Sequence, residues 1–199
     1  MKNSKIKFMT QMALLIAIEV VMKLIGLGSV PVGPLYMSFL TVPIAVGAIV
    51  LGPLAGAILG GVFGIVSFYD AAMGASAMGA ALMAISPFHT FVNCVVTRVL
   101  MGLLVGVVYN LLKKAMKSNV RYFIAALFAP ALNTIFFMGY LCLAFFNTEY
   151  VQGLCQAIGA TNPIMFICLL VGFQAVVEAV VCCLIGGIVS KTVDVIVNR

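Results

Sequence analysis

Four ionisable side chains stand inside otherwise apolar stretches: Glu19 and Lys23 in one, Arg98 in a second and Glu178 in a third. At the centre of a bilayer each costs roughly 2.5–3.5 kcal/mol on insertion scales, so four without partners cost on the order of 10 kcal/mol. They must therefore face inward and find partners. Glu19 and Lys23 are four residues apart, the spacing of a same-face pair on a helix, and pairing Arg98 with Glu178 leaves the interior neutral. The other possibility is chemical: one or more of these groups meets a polar solute in the outward half of a helix bundle. Lys23 falls about one turn from the outer end of its stretch and Arg98 about 15 Å below the outer end of its own, so both are reachable from outside. Glu178 lies deeper and reads as structural.

Further polar residues gather around the same half. Tyr36, Ser38 and Thr41 flank the second apolar run, Ser67, Tyr69 and Asp70 end the third, and Ser86, His89 and Asn93 begin the fourth; Asn133 and Gln174 add amides in the last two. A few convergent polar groups within apolar walls describe a small-molecule pocket. The candidate set is Lys23, Tyr36, Ser38, Ser67, His89, Asn93, Arg98, Asn133 and Gln174. Catalysis has less to work with. No Asp pair, Ser–His pair or metal triad occurs at a suitable spacing, His89 is the only histidine, and no G-x-x-x-x-G-K-[ST] or G-x-S-x-G element is present. We expect no enzyme, no metal and no cofactor in this chain. Cys94, Cys142, Cys168, Cys182 and Cys183 fall in apolar runs and Cys155 in a loop, a pattern of packing residues rather than of a disulfide framework.

The elements that must position these groups follow from composition. Of 199 residues, 64% are hydrophobic and 8% charged, against about 45–50% and about 25% in soluble domains. With about 20 apolar residues per crossing, the length allows six or seven spans and no sizeable soluble domain. Apolar runs at residues 8–27, 35–51, 54–68, 88–112, 122–146 and 163–189 predict an all-α integral membrane protein, a six-helix bundle forming a single transmembrane domain over residues 1–199. Pro53 suits the first turn of the third helix, and Gly52, Gly56, Gly60 and Gly64 then share one face, a stripe that lets helices approach closely in lipid. The net charge of +6 matters less than its distribution. Lys2, Lys5 and Lys7, then Lys113, Lys114, Lys117 and Arg121, then Lys191 and Arg199 all fall on one side if both termini are cytoplasmic. The expected surroundings are lipid bilayer and not nucleic acid. The first run is long for a signal peptide and reads as retained. Outer loops span residues 28–38, 69–87 and 147–162, the second being suited to a lid or a re-entrant segment.

Several motifs resemble the S component, the substrate-binding membrane subunit, of energy-coupling factor (ECF) vitamin transporters. They are Ala13-Leu14-Leu15-Ile16-Ala17, the Leu-Gly-Pro-x-x-Gly turn within residues 42–57, Gly60 to Ser67, Ser86-Pro87-Phe88, Arg98 followed by Gly102, Asn133-Thr134 and Glu178-Ala179. The third helix is most similar to the pantothenate branch. The resemblance implies a capture protein of the bacterial plasma membrane that binds a vitamin from outside, with pantothenate first and lipoate, riboflavin, folate or a pyridoxine-like compound as alternatives. It also implies a transmembrane coupling subunit, docked at Ala13 and Ala17, and two ATPase subunits that use the ATP. The rivals are a non-transporting membrane scaffold, a membrane enzyme without a catalytic constellation, and a self-contained secondary transporter, for which no inverted repeat is visible.

Overall fold

The computed structural model of the chain describes residues 2–28, 30–32, 35–116 and 118–197, with the side chains of residues 2–4, 31, 32, 35, 36 and 197 outside that description. Lys117 and Arg199, two of the basic residues that sort to one side of the membrane in the sequence, fall outside it. Helix α1 covers Lys2–Leu24. A short antiparallel hairpin follows, β1 (Val30–Val32) with β2 (Leu35–Met37), in the register Val30 to Met37 and Val32 to Leu35. Then come α2 (Thr41–Val50), α3 (Pro53–Ala72) and α4 (Ala77–Ile85). Helix α5 (Pro87–Phe91) runs through a π turn at Val92–Val96 into α6 (Thr97–Ala115). Helices α7 (Val120–Phe145), α8 (Glu149–Ile158) and α9 (Pro163–Val181) follow, and a second π turn at Cys182–Gly186 leads into α10 (Gly187–Val197).

Among the described residues, four helical stretches are long and apolar enough to cross a membrane: Pro53–Ala72, Pro87–Ala115, Val120–Phe145 and Pro163–Ile196. Helix α1 matches them in length but carries Lys5, Lys7, Glu19 and Lys23. The run at residues 35–51 differs most from its expectation. Its first residues pair as β2, and the helix that remains has ten residues, about 15 Å long against a hydrocarbon core of about 30 Å. The hairpin is also the exception to an all-α class. β-branched Val30 and Val32 opposite Leu35 and Met37 favour extended pairing, and Pro43 is confined to the first turn of α2, where it blocks no bond. Two of the expected outer loops contain helices. Ser76 caps α4 by accepting a hydrogen bond from Gly79 N at 2.9 Å, and α8 closes on Gly159 with φ of 71°.

The glycine stripe packs α3 on α6 with backbone against backbone. A Cβ on Gly56 would lie 2.2 Å from Gly102 O, on Gly60 2.2 Å from Arg98 O, and on Gly64 2.7 Å from Cys94 O. Small residues are the means by which helices in lipid gain van der Waals contact, and here they fix the height and rotation of the segment that carries Arg98. Apolar side chains gather in two clusters. One joins α2, α3, α6 and α7 around Ile44, Leu59, Met101 and Val105. The other joins α4, α7, α8 and α9 around Met78, Leu82, Met138, Val151 and Phe166.

Candidate functional site

Between the two clusters lies a cavity of about 110 Å³. Its walls come from six elements. Phe63, Ser67 and Ala71 of α3 face Asn133, Thr134, Phe137 and Met138 of α7; Thr90, Cys94 and Arg98 descend the α5–α6 rod; Gln174 and Glu178 come from α9; Ser38 follows the hairpin; and Met78, Gly79 and Leu82 of α4 complete the lining. The spacing of Thr90, Cys94 and Arg98, four residues each time, keeps them on one face of the rod. Most of the surface is apolar, with a few polar groups that converge.

Arg98 is the dominant charge. It is 6% exposed, its Nη1 donates to Cys94 O at 2.9 Å, and its guanidinium carbon lies 4.3 Å from the centroid of Phe63 and 4.7 Å from that of Phe137. The two rings hold the guanidinium through cation–π attraction, while its Nε has no hydrogen-bond partner among the described residues. The sequence suggests Glu178 as its counter-ion, but among the described residues no ion pair within 4.0 Å joins them. Glu178 Oε1 instead accepts from the backbone N–H of Ser38 at 2.8 Å and from Gln174 Nε2 at 3.3 Å. Glu178 thus braces the exit of the hairpin against α9 and also lines the cavity. A bare backbone N–H at Ser38, left by the end of β2, is the local reason for that bond.

The other suggested pair is also exchanged. Lys23 pairs with Asp70, not Glu19, with side chains about a quarter exposed, and so ties the end of α1 to the end of α3. Glu19 is buried, and neither carboxylate oxygen has a hydrogen-bond partner among the described residues.

Of the nine candidates from the sequence, Ser38, Ser67, Arg98, Asn133 and Gln174 meet at the cavity. Lys23 does not line it. His89 is exposed, its Nδ1 2.9 Å from Tyr140 Oη and its ring edge-on to Phe145 at 6.1 Å. Asn93 is fully buried beside the cavity without lining it. Tyr36 belongs to β2, and its side chain lies outside the described residues. Sequence reasoning missed Thr90, Cys94, Thr134 and the α4 residues. The four-residue stripe ending at Arg98 was a usable signal for the first two; nothing in the Ala- and Met-rich segment 75–85 marked it as a wall.

Away from the cavity, Ala13 and Ala17 are exposed on α1. Close to them a groove of about 220 Å³ runs between Leu14 and Ile18 of α1, Val46 and Val50 of α2, and Val189 and Val193 of α10. No group of His, Cys, Asp and Glu suited to a metal ion occurs among the described residues.

Over 115 residues the chain is 30% identical to the pantothenate transporter PanT of Leuconostoc mesenteroides, a match covering 55% of this chain and 54% of that protein. The chain therefore spans about half the length of the curated relative it matches. Residues 7–190 match the family model of the ECF transporter, substrate-specific component, and the chain, a transport component and not an enzyme, belongs to that family.

Proposed function

We propose that this chain captures pantothenate from the exterior of a bacterial plasma membrane and delivers it inward with a coupling subunit and two ATPases. The observation that carries the reading is Arg98: a buried cation held between two phenyl rings, facing a cavity, with its carboxylate neighbour engaged elsewhere. Such a charge is stabilised by an anion that arrives with its own hydrogen-bond acceptors. The vitamin's carboxylate meets Arg98, and its hydroxyl and amide groups meet Asn133, Gln174, Ser67 and Thr134. The similarity to PanT supports the same substrate. Lys23, His89 and Tyr36 then stand at the outer approach, and α4 is the lid.

Six crossings, with α2 and its hairpin sharing one, place both termini and their lysines in the cytoplasm. The exposed Ala13 and Ala17 beside the α1–α2–α10 groove offer the coupling subunit a surface on which an apolar helix fits closely. Ala17→Leu is expected to weaken co-purification with that subunit by the roughly 1–3 kcal/mol of an overpacked contact, or about 5- to 150-fold. Pantothenate binding by the isolated chain stays near the wild-type value; equal loss of both contradicts the assignment.

The test of function is equilibrium binding of a vitamin panel to the purified chain. Tight binding of pantothenate supports the reading. Tight binding of lipoate, riboflavin, folate or a pyridoxine-like compound with pantothenate silent replaces the substrate, and silence across the panel favours a scaffold.

A further inference from the structure

Asn93 is completely buried, and neither its amide nitrogen nor its amide oxygen has a partner among the described residues. Buried amides are almost always paired, and one left unpaired destabilises the state that holds it. An apolar side chain of similar shape would serve this position better if packing were its whole role.

Its backbone suggests the role. Asn93 lies in the π turn Val92–Val96, immediately before Cys94, which lines the cavity with Thr90 and Arg98. A π turn contains one residue more than the α-helical path requires. When that extra residue moves toward Ala115, each residue it passes takes the place of its C-terminal neighbour, by a rotation of about 100° and a rise of about 1.5 Å. Asn93 then occupies the position of Cys94 on the cavity wall, and Cys94 that of Val95 against α3. The surroundings permit this movement. A Cβ on Gly64 would lie 2.7 Å from both Cys94 O and Val95 Cα, so at this point α3 presents the bare backbone of Gly64 to the turn. The incoming cysteine is also smaller than the valine it replaces.

We propose that Asn93 is a ligand-binding amide that exchanges with Cys94 at the cavity wall as the π turn migrates. A polar acid with amide or hydroxyl groups binds the exchanged state more tightly, because only there is the carboxamide paired, and so shifts the equilibrium toward it. The proposal rests on the reading of the cavity as a vitamin site and adds to it a residue and a movement.

Two measurements on the purified full chain test it. With pantothenate as probe, Asn93→Leu is expected to lower affinity by about tenfold or more, while the thermal midpoint of the ligand-free chain is unchanged or raised. Wild-type affinity in that variant overturns the proposal. Should the wild-type chain ignore pantothenate, the substrate reading fails, and the exchange is judged on cysteine accessibility instead. In Asn93→Cys combined with Cys94→Ser, a small water-soluble methanethiosulfonate is expected to modify position 93, as read by peptide mass spectrometry. No modification there, under conditions that modify Cys94 in the wild-type chain, overturns it.

Discussion

Replacing Arg98 with methionine is expected to weaken pantothenate binding by about 2–5 kcal/mol, the range for removing one member of a buried, hydrogen-bonded charge pair, or about 30- to 5,000-fold. The same substitution leaves the ligand-free chain as stable as before or more so. Methionine fills the slot between Phe63 and Phe137 with a thioether that suits aromatic neighbours, and it removes a buried cation whose desolvation is unfavourable. Arg98→Lys does not restore binding, because an ammonium cannot reach a backbone carbonyl of the π turn and a carboxylate together as the guanidinium fork does. Titration calorimetry and a thermal melt on one preparation separate the two effects. Binding and stability falling together would mean that Arg98 holds the bundle and not the ligand.

The second large effect is expected at the α3–α6 seam. Gly60→Ala places a methyl 2.2 Å from Arg98 O, a distance no side chain occupies, so α6 must move and carry Arg98 with it. Overpacking of this kind costs about 1–3 kcal/mol where neighbours can yield, and backbone yields least. Thermal stability should fall by at least that amount and pantothenate affinity with it. Gly102→Ala, whose methyl would lie 2.0 Å from Gly56 O, lowers stability similarly but sits about 6 Å farther along the helix from Arg98, so affinity suffers less. Gly61→Ala is the control: its methyl meets Val99 Cγ2 at an ordinary 3.5 Å and should be tolerated. A thermal-shift series over these three variants decides the matter, and equal tolerance at all three would refute a backbone-on-backbone seam.

The parts of the fold legible in the sequence are those in which one physical effect dominates. Long apolar runs have no soluble alternative, so α3, the α5–α6 rod and α7 stand close to the expected bounds, while the α9–α10 rod runs on past residue 189 to Val197, and a glycine every fourth residue in α3 admits little besides close helix contact. Where two effects compete, the sequence was ambiguous. Leu35–Met37 reads as the start of an apolar helix, yet pairing with Val30–Val32 wins and shortens α2 to ten residues. Ionic partners were least legible. Lys23 has Glu19 one turn away but bonds Asp70, 47 residues on, because inter-helix geometry, not sequence distance, determines which carboxylate it meets. Glu178 was read as the neutraliser of Arg98, and its capture by the Ser38 N–H follows from the hairpin, which the sequence did not reveal. Arg98, Asn133 and Gln174 could be chosen because polar groups at mid-helix in a bilayer need a reason to be there. The α4 residues that line the cavity could not, since alanine and methionine carry no such signal.

Pantothenate capture depends on a buried guanidinium that selects the vitamin carboxylate. Equilibrium titrations of the purified wild-type chain with pantothenate and with pantothenol, the neutral alcohol of the same skeleton, isolate that selection. The acid is expected to bind at least about 30-fold more tightly, the lower end of a buried charge pair, and Arg98→Met to abolish the difference. Equal affinity of the wild-type chain for acid and alcohol would contradict it.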